Sequence, residues 1–375
     1  MNKKNVIIIM IDGGRLDRAL QSSVFNELKS QSVFFSNSIT YGPHTIAAMH
    51  AVFSGSYGSR TGTNSYWSTF KFKKNRFKTL TEYLKDNGFY TYADVINQLV
   101  VPKQGFDNYI VHDELNDDLL VRHQHLLDEM SQKNAKQQNF FLYLHYSKIH
   151  TGIMNEVLKV YDNFSDEYFA NKKKNESRYD ALFSAAESYL NGILNKVKQL
   201  NLDKNSIILV MSDHGISVGE KIGERAYGAF CYDYTLRTFT YFLIPGIASN
   251  EIKQQVRTVD FMPTILECLE ITIDANYDKL DGVSLLPLIR GGSFQELFAF
   301  SETGNPFREK TPPKEPNVKS LRNSKWKFIF NEHDGTKEMY NLELDPDETN
   351  NLFGTGEQME NILWDELQKL IGKRD

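Results

Sequence analysis

Residues 5–17 read NVIIIMIDGGRLD. From Val6 to Ile11 every side chain is apolar and most are β-branched, with no polar alternation. That run is too short to cross a bilayer, and it reads as a strand over 5–11 buried on both faces, as in the middle of a parallel sheet. An aspartate follows at once, and a carboxylate just beyond a buried strand is costly unless it is paired or holds a metal. Further strands of the same kind are expected at SVFF (32–35), YTYADVI (90–96), NFFLYLHY (139–146), SIILVMS (206–212) and TYFLIP (240–245). Helical patterns lie between them, at 77–88 and from about Tyr179 to Leu200. The alternation predicts an α/β fold, a doubly wound, mixed but mostly parallel sheet flanked by helices.

In such sheets ligands gather beyond the carboxyl ends of the strands. The residues standing there are Asp12 with Gly13, Gly14 and Arg15, then His145 and His150, then Asp213 and His214. Asn97, just after 90–96, is a further pocket candidate. A second stretch, GPHTIAAMHAVFSG (42–55), opens on a Gly-Pro turn and suits a short helix that Gly55 would end. Thr45 sits where the turn becomes helix, beside His44 and before two alanines that leave space around its hydroxyl. Thr45 reads equally as an N-cap.

Two carboxylates, one imidazole and one hydroxyl (Asp12, Asp213, His214, Thr45) form a plausible ligand set for one divalent metal ion. Oxygen donors with one nitrogen suit Mn²⁺, Mg²⁺, Ca²⁺ or Zn²⁺ alike. Such an ion would activate the Thr45 hydroxyl as a nucleophile, and the helix N-terminus would favour an anion there. His150 is the candidate for contacting the reacting oxygens or protonating a leaving group. His44, Asn97, His145, Lys221, Arg225 and Tyr227 are candidates for binding substrate, Lys221 and Arg225 through their charge. Each has a bland alternative as a loop, core or surface residue.

The bulk numbers bound the rest. The chain has 375 residues, 41% of them hydrophobic, and a net charge of −5, which argues against nucleic acid as the main partner. Two cysteines with no metal-ligand spacing suit a reducing, cytoplasmic setting, and no segment is long enough for a membrane span. Residues 303–317 (TGNPFREKTPPKEPN) turn Pro- and charge-rich. They divide the chain into a catalytic domain at 1–302, a linker or surface loop, and a small C-terminal α+β subdomain at 318–375, with strands in WKFIF and KEMYNLE and a helix near 356–372.

Several blocks resemble the alkaline phosphatase/sulfatase superfamily. NVIIIMIDGGRLD resembles its first strand and metal loop, TIAAMHAVFSG its nucleophile helix, and SIILVMSDHGISVGE, VRTVDFMPTILECL and LDGVSLLPLIRGG its later blocks. The resemblance runs in order along nearly the whole chain and implies an alkaline phosphatase-like fold, one divalent ion, and Thr45 at the nucleophile position. Sulfatases of the family carry Cys or Ser in a C/S-x-P-x-R motif and oxidise it to formylglycine. Here Thr45 stands in that place, with Ala47 and Met49 where the Pro and Arg would be. Threonine cannot form formylglycine, so the resemblance implies a hydrolase or transferase of phosphoric esters: monoesters, diesters or phosphonates. Tyr227, in AYGAFCYDY, stands where many relatives have His. A sulfuric ester hydrolase lacking formylglycine, or a non-catalytic glycan-binding homologue, are the alternatives. The partner in each case is a small-molecule or glycan phosphate or sulfate ester.

Overall fold

The computed structural model describes residues 4–160, 163–307, 309 and 311–372. Its central strand is β1 (Asn5–Ile11), buried along its whole length. The remaining strands of the main sheet used below are β2 (Val33–Ile39), β3 (Tyr90–Val95), β4 (Asn108–Val111), β5 (Phe140–Tyr146), β6 (Ser206–Met211), β7 (Arg237–Leu243) and β8 (Asn250–Ile252). Their order is β8-β2-β7-β6-β1-β5-β3-β4, and the short strand Val256–Arg257 pairs with the end of β2 in parallel. Among the described residues only β7 runs against its neighbours, so the sheet is mixed and mostly parallel.

Side chains of β1 alternate between two cores. Ile7, Ile9 and Ile11 join one apolar cluster, and Val6, Ile8 and Met10 join the other. The first face is covered by α3 (Leu119–Ala135), α4 (Lys148–Val157) and α5 (Lys172–Gln199). The second is covered by α1 (Thr45–Ser54), α2 (Leu80–Asp86) and α6 (Phe261–Cys268). Each fully buried isoleucine contributes on the order of 1.5–3 kcal/mol, so the unbroken run in β1 is the strongest single sequence determinant of the layered fold.

A second sheet of four antiparallel strands follows in the order β9 (Ala299–Thr303), β10 (Val318–Arg322), β11 (Trp326–Asn331) and β12 (Thr336–Asn341). The helix α7 (Met359–Ile371) packs on it through Leu363 and Leu367. The same cluster takes in Ala47 and Ala51 of α1 with Tyr41, Tyr57 and Val259, so the small sheet seats against the helix that begins at Thr45 through shared apolar packing.

Several boundaries differ from expectation. The second sheet begins at Ala299, so the expected domain border at 302/303 falls inside β9. Residues 303–317 serve as the connection from β9 to β10, and within it Arg308 and Lys310 lie outside the described residues, as do 1–3 and 373–375 of the outer ranges. The strand β2 continues past Phe35 through polar residues, with a register shift between Phe35 and Ser38. The helix α5 begins at Lys172, ahead of the apolar pattern, in a polar turn.

Candidate active site

Asp12 stands one residue beyond β1, and its N–H continues the parallel ladder to the Tyr146 carbonyl at 3.0 Å. Gly13 then turns the chain with φ +71°, in the left-handed region, and a Cβ there would lie 2.5 Å from Ile216 Cδ1. A side chain is therefore excluded on two counts. The turn delivers the Gly13 N–H to Asp213 Oδ1 at 3.1 Å, across from the next strand end. Arg15 ties the same loop to the segment after Asp213: it donates to the Ile216 carbonyl at 2.9 Å and pairs with Glu220 and Asp17.

Thr45 is the first residue of α1, and the N-cap is His44, whose Nδ1 accepts from Ala47 N at 3.4 Å. The Thr45 hydroxyl is thus free of capping. It donates to Asp12 Oδ2 at 3.2 Å and lies 3.4 Å from His214 Nε2. Gly55 ends the helix at φ +61°, as its position suggested.

Among the described residues, the four groups share one pattern of satisfied and open atoms. His214 Nδ1 donates to the Gly215 carbonyl at 2.8 Å, which leaves Nε2 turned toward the two carboxylates. Asp213 Oδ1 accepts from Gly13 N and from His214 N, and its Oδ2 is buried with no partner. Asp12 Oδ2 accepts from Thr45 and from His145 Nε2, and its Oδ1 is likewise buried and open. His214 Nε2 lies 3.4 Å from Asp213 Oδ2 and 3.7 Å from Asp12 Oδ1. Ligand atoms of Asp12, Asp213 and His214 all fall within 4.8 Å of one another. Orphaned buried carboxylate oxygens are costly, and here they converge beside an open imidazole nitrogen and a hydroxyl. The donor set fits a divalent ion without choosing which.

The electrostatics agree. Burial would push the Asp12 carboxyl up, yet His150, His145 and His214 hold it well below the usual carboxylate range. Burial and the neighbouring Asp12 charge push Asp213 up. Two buried carboxylates set against each other are the arrangement a cation relieves.

The other expected residues divide into three groups. His150, in the first turn of α4, and Tyr227 face the site. His150 acts on Asp12 electrostatically, and its ring lies 5.8 Å from that of Tyr227. The Tyr227 ring also lies 6.1 Å from that of His214. Its phenol oxygen is buried with no partner among the described residues, and burial with the Asp12 charge keeps it protonated. His44 is at the rim, stacked on Tyr66 at 4.6 Å, and burial next to His214 lowers its pKa to about 3.

His145 is placed differently from a substrate ligand. It is fully buried behind Asp12 and orients that carboxylate through a 3.0 Å bond, the outer partner that a metal-ligating group usually has. Three candidates stand elsewhere. Lys221 donates to the carbonyls of Asp347 and Glu348 and lies 4.3 Å over the Tyr232 ring, so its charge fastens the C-terminal subdomain. Arg225 pairs with Asp166 at 3.7 Å. Asn97 is exposed and closes a local turn to Leu99 N. Tyr66 went unanticipated: partly exposed, it stacks on His44, and desolvation of its phenol together with the Asp12 and Asp213 charges raises the phenol pKa. Nothing in the pattern of residues 66–71 marks it, because its place depends on how that short helix folds back over α1.

Comparison with known proteins fits this arrangement. The Sulfatase family model matches residues 4–271, and the model for the C-terminal part of N-sulphoglucosamine sulphohydrolase matches 227–374. The chain belongs to the sulfatase family. Among curated relatives, Arylsulfatase K of Rattus norvegicus is 27% identical over 224 residues, 56% of this chain and 37% of the relative. Choline-sulfatase of Rhizobium meliloti (strain 1021) is 25% identical over 194 residues, 51% of this chain and 35% of the relative. The matches thus span little more than a third of those relatives' length. Among solved structures, BT4656, in complex with its substrate D-glucosamine-2-N,6-O-disulfate, has a TM-score of 0.74 at 16% identity, covering 99% of this chain and 98% of that one. The phosphonate monoester hydrolase of Agrobacterium radiobacter has a TM-score of 0.74 at 13% identity, covering 99% and 95%. These two likenesses establish the fold, an alkaline phosphatase-like one.

Proposed function

We propose that this chain is a metal-dependent hydrolase or transferase of phosphoric esters with Thr45 as its nucleophile. The observation that carries the reading is the Thr45 hydroxyl itself, uncapped at the start of α1 and 3.2 Å from Asp12 Oδ2 and 3.4 Å from His214 Nε2. Asp12, Asp213, His214 and Thr45 would hold one divalent ion. When bound, that ion supplies Lewis-acid polarisation of the hydroxyl and neutralises charge on the ester oxygens.

The chain's own groups supply the rest. Asp12 Oδ2 accepts the hydroxyl proton's hydrogen bond, and His145 fixes the orientation of that carboxylate. Thr45 Oγ1 forms a bond to phosphorus as its proton passes along the hydrogen bond to Asp12 Oδ2, the bond to the leaving oxygen breaks, and His150 protonates that oxygen. Water or an acceptor alcohol then displaces Thr45 and releases or transfers the phosphoryl group. Tyr227, whose phenol burial and the Asp12 charge keep protonated, serves as a hydrogen-bond donor to a non-bridging oxygen. His44 and Tyr66 frame the entrance. Free, separated cysteines suit a reducing, cytoplasmic setting as part of the same reading.

Family membership favours a second reading, a sulfuric ester hydrolase that works without formylglycine. The test is turnover of aryl phosphate monoester, phosphodiester, phosphonate and sulfate by the metal-loaded protein beside Thr45→Ala. Turnover of a phosphorus ester that falls at least about a thousandfold in Thr45→Ala supports the proposal. Sulfate turnover that survives the substitution overturns it.

A further inference from the structure

A second buried polar group lies at the end of β5, apart from the residues that face the site. Asp94, the fifth residue of β3, is fully buried. Its Oδ2 accepts from Arg122 Nε at 2.6 Å, and its Oδ1 lies 2.6 Å from His112 Nδ1 and 3.3 Å from His123 Nε2. His112 and His123 are buried too. Their outer nitrogens also have partners: His112 Nε2 lies 3.1 Å from Ser147 Oγ, and His123 Nδ1 lies 2.6 Å from the Tyr189 hydroxyl.

One proton arrangement satisfies every one of these contacts. An ionised Asp94 accepts from Arg122, from His112 Nδ1–H and from His123 Nε2–H, and both outer nitrogens then accept from hydroxyls. The ionised form is favoured, because these three donors outweigh burial and hold Asp94 well below the usual carboxylate range. A divalent ion could use the same three inner atoms. Against that, the Arg122 charge already sits on the carboxylate, and 2.6 Å between Asp94 and His112 is a hydrogen-bond distance rather than that of two ligands around an ion.

The network converges on three consecutive residues. The His112 ring meets the His145 ring edge-on at 6.1 Å. Tyr189, held by His123, stacks on Tyr146 at 4.3 Å. Ser147, held by His112, is the N-cap residue of α4, the helix that carries His150. Those three residues are the ones that brace the site: His145 bonds Asp12 Oδ2, the Tyr146 carbonyl receives Asp12 N–H, and Ser147 sets where α4 departs. Apolar packing could fill this space; buried hydrogen bonds add direction, which packing lacks.

We propose that Asp94, His112 and Ser147 form a positioning relay that fixes the β5–α4 corner, so that His145 and His150 hold their places around Asp12. The relay rests on the reading of Asp12 as part of the reacting site. It touches no substrate.

The test follows exchange of the ring protons His145 Nε2–H and His214 Nδ1–H by NMR on the full chain, in wild type, Asp94→Asn and Ser147→Ala. Divalent-ion content and aryl ester kinetics are measured in parallel. The relay predicts that His145 exchange speeds up at least about tenfold in both variants while His214 changes less than about twofold. It predicts kcat lower by about tenfold with KM within about twofold, and ion content unchanged. Unchanged His145 exchange in the folded variants overturns it. So does loss of a bound ion in Asp94→Asn, which would make the group a second metal site. If Asp94→Asn fails to fold, Ser147→Ala, which removes one hydroxyl, decides. A wild type that turns over none of the esters defeats the phosphoric-ester reading alone, and the exchange rates still decide the relay.

Discussion

His50 makes the stability of this protein sensitive to mild acid. It lies in α1, buried, with Nε2 3.1 Å from the Leu99 carbonyl and its ring 5.9 Å from that of Phe72. The carbonyl requires Nε2 to carry hydrogen, and Nδ1 is buried with no partner among the described residues, so a second proton would place an unpaired charge inside. Burial lowers the pKa from 6.5 to about 4, with the Leu99 carbonyl opposing it. The folded pKa lies below the unfolded one, so the stability is present above pH 6.5 and is lost as pH falls from 6.5 toward 4. Between pH 7 and pH 5 the unfolded chain gains about three-quarters of a proton that the folded chain largely refuses, a loss of about 2 kcal/mol. His50→Gln keeps a donor for Leu99 and removes the titration. Urea unfolding at both pH values should show the wild type losing about 2 kcal/mol more than the variant, the other titrating groups cancelling in the difference. Parallel losses in the two proteins would refute the reasoning.

Three further outcomes follow from the geometry. Gly13→Ala meets both a positive φ and Ile216 at 2.5 Å, and should cost about 1–3 kcal/mol in chemical denaturation. Asp213→Asn leaves one carboxylate where the donor set has two, and calorimetric titration with Mn²⁺ should show affinity lower by at least about tenfold. Arg257→Leu strips the buried Asp260 of its 2.6 Å partner, whose guanidinium otherwise opposes the upward push of burial on that carboxyl; unfolding free energy should fall by about 3–5 kcal/mol.

The layered sheet was legible because β1, β5 and β6 are apolar on both faces, and only a central parallel strand needs that. Asp12, Asp213 and His214 were legible because each follows such a strand at once. Thr45 was legible from the turn before it and the small residues after it. What escaped depends on contacts between distant segments. Asp94, His112 and His123 share no spacing; the pairing of β4 with β3 brings up His112, and the approach of α3 to β3 brings up His123. Lys221 looked like an anion ligand because charge near a site motif carries no direction; the fold turns it toward Asp347 and Glu348. β9 and β10 hid because their side chains mix polar and apolar, as Lys319 and Glu302 show, and those charges are buried.

The seating of the small sheet on α1 bears on how the protein is made. Ala47 and Ala51 lie two and six residues beyond the proposed nucleophile, yet the apolar cluster that covers them includes Phe300, Leu321, Phe328, Met339 and Leu367. A chain leaving the ribosome therefore exposes that face of the helix until nearly all of those segments have emerged, because synthesis runs from the N-terminus. Completing the packing of this helix is in this sense among the last things translation achieves: a chain stalled before β9 carries every proposed metal ligand, and Met49, Val52 and Phe53 can pack on the main sheet, but the cluster around Ala47 and Ala51 is unfinished.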